Sequence, residues 1–213
     1  MKLYGYWRSS AAYRVRIALA LKSLPYQTQA VHLAHAGQHH PDYAALNPQQ
    51  LVPLFIDDDG SRISQSLAII EYLDETRPAI PLLPADAKGR AQVRALALSI
   101  ACDIHPLNNL RVLDYLRAEL GADDAAKNAW IAHWISLGLA ALESRLIQDH
   151  PASRFCHGEQ PGLADCCLIP QLYNARRFGV DLAPYPQLLA IDAACAALPA
   201  FAQAHPQQQD DAG

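Results

Sequence analysis

Three short stretches of this chain hold the side chains best suited to chemistry. The first is Arg8-Ser9-Ser10, at a point where a strand gives way to a helix. A serine hydroxyl or backbone N–H at a helix start can donate to a thiolate and lower its pKa. No cysteine lies nearby in sequence, so the thiol would belong to a bound molecule. The second is Val52-Pro53, where a proline opens a strand although it removes a ladder donor. A cis bond there would leave the Val52 backbone to pair with a peptide-like ligand; a trans proline on an edge strand fits the same letters. The third is Gln65-Ser66 at the next helix start, where free N–H groups and the positive dipole end suit a carboxylate. Helix capping by Ser9, Ser10 and Ser66 is the plainer alternative at two of the three.

The surrounding pattern predicts the elements that carry these residues. Residues 2–7 have strand character, and residues 11–22 repeat apolar positions at helical spacing through Tyr13, Ile17 and Leu21. Residues 26–33 read as a second strand, parallel to the first. Residues 52–57 and 61–64 form a hairpin around Asp58-Asp59-Gly60, and residues 66–77 a helix with Ser66 as its cap. The order β-α-β, loop, β-β-α is that of a thioredoxin-like domain, assigned to residues 1–80. Three prolines in PAIPLLP then mark a surface linker, assigned to 81–88. Residues 89–213 read as an all-α domain with a break near Pro106 and a frayed polar tail. The fold class is therefore an α/β thioredoxin-like domain followed by an all-α domain.

Composition narrows the partners. Among 213 residues, 51% are hydrophobic and 18% charged, the balance of a globular protein, and the net charge is −4 without a basic block. Nucleic acid and anionic membranes are thereby disfavoured, and no signal peptide or membrane-spanning run is apparent. Five cysteines without a CxxC pair suggest reduced thiols and a cytoplasmic setting. His35, His39 and His40 crowd one loop without a metal-ligand pattern, so no metal is expected.

The strings YWRSSAAYRVRIALALK, ALNPQQLVP, SQSLAIIEYLDE, CDIHPLNNLRVLDYL and LADCCLIPQLYNARRFGVDL resemble zeta-class glutathione transferases, and the likeness runs over most of the chain. The resemblance implies glutathione as cofactor, with Ser9 assisting its thiolate and Ser10 beside it. It implies that Val52, ahead of a cis Pro53, pairs with the cysteinyl part, and that Gln65 and Ser66 hold the γ-glutamyl end. Gln38, on a flexible loop, and His105, Asn108 and Asn109, from the helical domain, are implied to reach the same ligand. Arg8, Arg111 and Arg176 become candidates for the carboxylates of a small dicarboxylate substrate. The implied reaction is cis–trans isomerisation of maleylacetoacetate by reversible thiolate addition. Maleylpyruvate, broader transferase chemistry and a non-catalytic glutathione-binding module are the alternatives, and a homodimer is implied. Two departures stand out: Ala11 replaces a cysteine often found after the paired serines, and Gly162 replaces the usual serine or threonine helix cap before Asp165.

Overall fold

The computed structural model of the protein describes residues 1–149 and 153–212. Two compact units emerge: Met1–Leu82 together with the residues from Ala196 onward, and Leu83–Cys195.

The first unit is built on a four-stranded sheet. Its strands are β1 (Lys2–Gly5), β2 (Gln27–Ala30), β3 (Leu54–Ile56) and β4 (Arg62–Ser64), in the spatial order β2-β1-β3-β4. β1 and β2 run parallel, as the sequence predicts, while β3 is antiparallel to both β1 and β4. Leu3 stands opposite Phe55, which stands opposite Ile63, and strand alternation sends the neighbouring pair Tyr4–Leu54 to the other face. Leu3 and Phe55 are buried. The opposite face is covered too, because Leu54 joins Val31 and Tyr43 in a buried cluster with Tyr4, Leu46 and Ile56 packed around it. Tyr43 comes from α2 (Pro41–Leu46), a short helix absent from the sequence reading, which left a loop there. Six residues with one buried side chain hold too little periodicity to be recognised, although Pro41 at the first turn is a fitting start.

Helix α1 (Ser10–Leu21) connects the parallel strands. Its predicted apolar face is buried, but so are Arg14 and Arg16. The reason is that α1 packs against both α3 (Ser66–Thr76) and α9 (Pro199–Ala204). The C-terminal residues therefore belong with the first unit, not with the helical domain to which residues 89–213 were assigned. Nor is the described tail frayed: Phe201, Ala204 and Pro206 are buried, and Trp7 N donates to Asp211 Oδ2 at 3.0 Å.

The proline-rich stretch also departs from a surface linker. Lys22 Nζ, at the end of α1, donates to Asp74 Oδ1 at 2.9 Å and to the Ile80 carbonyl, while Leu82 N donates to the same Asp74 oxygen at 2.7 Å. Lys22 and Asp74 are both buried, as are Leu82 and Leu83. A buried ion pair repays its desolvation only when its remaining groups are hydrogen-bonded, and here the backbone of residues 80–82 supplies those bonds.

The second unit consists of α4 (Ala87–Asp103), α5 (Leu110–Ala118), α6 (Asp124–Asp149), α7 (Leu163–Arg177) and α8 (Pro186–Ala196). α7 is the central element: every residue from Leu163 to Leu172 is buried, Cys166 and Cys167 included, and it packs against α4. Its start follows the predicted substitution, with Gly162 as cap and Asp165 reaching back to accept from Gly162 N at 2.8 Å and Cys156 N at 2.9 Å. Burial pushes the Asp165 carboxyl upward, and those two N–H donors act against that shift. Glu143, buried in α6, accepts from Gln187 N and Leu188 N at the start of α8. Gly138 lets α6 approach Ile104, since a Cβ there would lie 2.3 Å from the Ile104 side chain.

One cluster around Asp57 gives stability a pH dependence. Asp57, after β3, accepts from Arg77 Nη2 at 2.6 and 2.8 Å, from Tyr72 Oη at 2.5 Å and from Asp58 N at 2.8 Å, tying the hairpin to the end of α3. Burial pushes its carboxyl up, but the Arg77, Tyr72 and Asp58 donors outweigh it and hold the pKa down at about 2. A carboxyl with a depressed folded pKa stabilises the fold above its unfolded pKa, and that contribution is lost as pH falls through the folded value. Asp57→Asn is thus expected to lower the melting temperature at pH 7, and the gap from wild type should close between about pH 4 and pH 2 in a series of thermal melts.

Candidate functional site

The β1–α1 turn of the candidate site is held by backbone and capping bonds. Ser9 N donates to the Tyr6 carbonyl at 2.9 Å, and Ser9 itself is the N-cap of α1, its Oγ accepting from Ala12 N at 3.2 Å. An accepting hydroxyl keeps its own proton, so the capping bond leaves Ser9 able to donate to a thiolate. Ser10 is the first helical residue and is buried. Arg8 lies over the Trp7 ring at 4.7 Å and donates from Nη2 to Tyr6 Oη at 3.2 Å. Its Nε is buried without a protein partner.

The approach to β3 is held by a second set of bonds. Asn47 and Tyr43 both donate to the Leu51 carbonyl, at 2.8 and 2.6 Å, and Asn47 Oδ1 accepts from Gln49 N at 3.2 Å. This arrangement presents Val52-Pro53, whose peptide bond is cis. Gln50 sits at φ +54° and Gln65 at φ +72°, a region that residues with a Cβ seldom enter. The two glutamines are drawn into side-chain contacts: Gln65 Nε2 donates to Gln49 Oε1 at 3.2 Å, and Gln50 Oε1 bonds to His39 Nδ1. Gln49 and Gln50 were not singled out from the sequence. Their only signal was adjacency to the Leu-Val-Pro stretch that the chemistry requires.

The start of α3 corrects one expectation. Ser66 is the first helical residue, not the cap; the cap position is Gln65, whose side chain makes no capping bond. Ser66 Oγ instead accepts from Arg14 Nη1 at 3.2 Å, which again leaves a hydroxyl proton to donate. The first turn of α3 carries no acidic side chain, so its N–H groups and the positive charge of Arg14 form a setting for a carboxylate. Gln38 lies in a 3-10 turn, Gly37–His39, and its Oε1 is buried without a protein partner.

In the second unit, His105 and Asn108 begin and end the 3-10 turn His105–Asn108. Trp130 Nε1 donates to the Leu107 carbonyl at 2.8 Å and anchors that turn. Both polar atoms of the Asn108 amide are buried without a protein partner. Asn109 caps α5, its Oδ1 accepting from Arg111 N at 3.3 Å, and the Arg111 side chain is exposed. Arg176 is engaged by Asp192 at 2.5 Å in an ion pair. Among the described residues, no group of three or more His, Cys, Asp or Glu side chains gathers as a metal site, and no helix is long and apolar enough to cross a membrane.

Buried polar atoms are normally satisfied, so the orphans at Arg8 and Gln38 in the first unit, and separately at Asn108 in the second, are atoms with capacity for a polar ligand. A short peptide with free carboxylates fits that description, as do the N-terminus of α3 and the β1–α1 turn.

Comparison with known proteins agrees. Residues 1–75 match the family model for the glutathione S-transferase N-terminal domain, and residues 124–203 match that for the C-terminal domain. The chain belongs to the glutathione transferases. Its class within them is zeta: it is 52% identical, with a TM-score of 0.97 and full coverage of both chains, to the holo structure of a maleyl pyruvate isomerase of that class. It is 56% identical to a probable maleylacetoacetate isomerase of Vibrio cholerae, over 99% of this chain and 97% of the relative. A maleylacetoacetate isomerase structure from Methylobacterium extorquens AM1, with bound malonate and glutathione, is 43% identical with a TM-score of 0.96 and full coverage of both chains.

The geometry of the turn predicts a stability effect separate from any chemistry. Removing the Ser9 cap by Ser9→Ala should cost about 1 kcal/mol in denaturant unfolding, whereas Ser10→Ala leaves the capping bond intact.

Proposed function

We propose that the protein is a glutathione-dependent cis–trans isomerase that converts maleylacetoacetate to fumarylacetoacetate, a step in aromatic amino-acid breakdown. The observation that carries this reading is the β1–α1 turn, where Ser9 is held as an acceptor by Ala12 N yet retains a proton for a thiolate. Glutathione, when bound, supplies the thiolate whose reversible addition turns the substrate's double bond temporarily into a rotatable single bond. The chain supplies binding, orientation and charge stabilisation around that chemistry.

In this scheme Ser9, with Ser10 beside it, donates to the thiolate and keeps it ionised near neutral pH. The Val52 backbone, ahead of cis Pro53, pairs with the central residue of glutathione. Gln65, Ser66 and the N–H groups of α3 hold the γ-glutamyl carboxylate, and Gln38, His105 and Asn108 bind further parts of the peptide. Asn109 acts through the α5 cap that follows the His105–Asn108 turn. Arg8 and Arg111 orient the carboxylates of the dicarboxylate substrate. Arg8 is held by Tyr6 and Trp7 for that task, while Arg111 is exposed. Arg176 takes a smaller part, because a ligand would first have to displace Asp192. Maleylpyruvate is the second reading, favoured by the 52% identity to a maleyl pyruvate isomerase. Both substrates carry two acid ends and a cis alkene. The protein is further read as a cytoplasmic homodimer. Four buried thiols and one exposed thiol, none in a disulfide, accord with a reducing compartment.

Turnover is measured from the ultraviolet absorbance of maleylacetoacetate and of maleylpyruvate, coupled to the hydrolase that accepts only the trans product. Activity should require glutathione, with maleylacetoacetate the faster substrate; a reversed ratio would assign the protein to maleylpyruvate, and no turnover of either would overturn the isomerase. Ser9→Asp separates capping from catalysis, since an aspartate caps a helix well but cannot donate when ionised. It should keep the wild-type melting temperature and lose about 100-fold or more in kcat. Wild-type activity in that variant would remove Ser9 from the mechanism. Light scattering on a gel-filtration column should give twice the 23.3 kDa chain mass, and a 23.3 kDa species would refute the dimer.

A further inference from the structure

We propose that the C-terminal tail is a positioning element for the Arg8-Ser9-Ser10 turn, acting through hydrogen bonds to both sides of Trp7. The proposal rests on the reading above that this turn serves the glutathione thiol. Trp7 is the residue at which β1 has ended and α1 has not begun, so neither ladder nor helix satisfies its backbone. Its N–H donates to Asp211 Oδ2 at 3.0 Å. Its carbonyl accepts from Arg16 Nη2 at 2.9 Å, and Arg16 Nε donates to the Ala204 carbonyl at the end of α9 at 3.1 Å. Both polar groups of one residue in the turn are thus referred to Asp211 and Ala204, the first of them 204 positions away.

The tail is itself held where it must be. Phe201 and Ala204 are buried, α9 packs against α1, and Pro206 is buried behind it. The chain then folds back: the Gln209 side chain donates to the Gln203 and His205 carbonyls at 3.1 and 3.0 Å, and Ala212 N donates to the Gln209 carbonyl at 2.9 Å. Asp211 is placed between those last two anchors. Arg16 is 3% exposed, with its guanidinium 5.2 Å from the Tyr13 ring, so this bridge is an interior feature and not a surface pair. Two residues beyond Trp7 stands Ser9, whose N–H returns to Tyr6, so Trp7 and Arg8 form the closed bend between these two bonds. Fixing the Trp7 peptides sets the direction of Arg8 and the height of Ser9 Oγ. Displacements of about 1 Å in positioning groups can cost on the order of 100-fold in rate, so a tail that fixes this bend is a determinant of activity without touching substrate.

The test uses the full-length protein with saturating glutathione and compares Asp211→Ala, Asp211→Asn and Ser9→Asp. Read out are kcat, KM, the melting temperature and the pKa of the bound thiol, followed by thiolate absorbance against pH. Asp211→Ala should raise the thiol pKa and lower kcat by roughly 10-fold, within the range that misplaced groups produce, with the melting temperature nearly unchanged. Asp211→Asn keeps an acceptor oxygen and should restore most of both. If Ser9→Asp raises the thiol pKa but Asp211→Ala leaves it and kcat at wild-type values, the tail proposal is overturned while the role of Ser9 stands. If Asp211→Asn is as impaired as Asp211→Ala, charge and not the hydrogen bond is responsible, and the proposal is again overturned. If Ser9→Asp itself leaves the thiol pKa unmoved, the fault lies with the assigned function of the turn and the proposal falls with it.

Discussion

Where β1 becomes α1, several backbone groups in a row lose their regular partners, and the chain has to satisfy them from side chains and from distant segments. Ser9 takes the first turn of the helix through its oxygen, Tyr6 and Ser9 close the bend, and Asp211 and Arg16 take the two polar groups of Trp7. The consequence for chemistry is direct. A hydroxyl that accepts in order to cap a helix has one lone pair occupied and its proton still free to donate. The same few bonds that end one element and start the next therefore orient the Ser9 hydroxyl.

This pattern recurs at three buried carboxylates. Asp74 collects Lys22 and Leu82 N, Asp165 collects Gly162 N and Cys156 N, and Glu143 collects the first two amides of α8 that follow Pro186. Asp74 and Asp165 each tie a loop to a helix, and Glu143 ties the start of α8 to α6. Removing one partner from such a group costs several-fold more than a surface pair, roughly 3–5 kcal/mol against about 0–1 kcal/mol. The Arg176–Asp192 pair, with the arginine side chain 47% exposed, belongs to the second kind. Buried acids in this protein are joints, and the exposed pairs are incidental to the fold.

Much of the architecture was legible in the letters because it rests on local rules. The parallel β1–β2 pair, the hairpin at Asp58-Asp59-Gly60, the break at Pro106 and the run of helices follow from periodicity and turn chemistry. α2 was not legible, since its existence depends on Tyr43 finding Val31 and Leu54 across the sheet. Nor was the place of Ser66, where a serine before an apolar run looks like a cap. With Gln65 at positive φ in the cap position, the helix begins one residue earlier, at Ser66 itself. The polar tail was misjudged for a related reason: its hydrophilic residues are used one by one as acceptors and clamps, which composition averages away.

The sequence by itself determined the family, the two-part order of elements and the identity of the residues at the β1–α1 turn, because these depend on residue type and on neighbours a few positions away. Only the tertiary structure decided which serine caps and which is first in the helix, and that the end of the chain returns to its beginning. It also decided which arginine is held by a carboxylate and which is held by aromatic rings. These are contacts between positions separated by up to 204 residues, as for Trp7 and Asp211. A one-dimensional pattern cannot specify such contacts, because hydrogen bonds are directional and short, and their partners are chosen only once packing has brought the segments together.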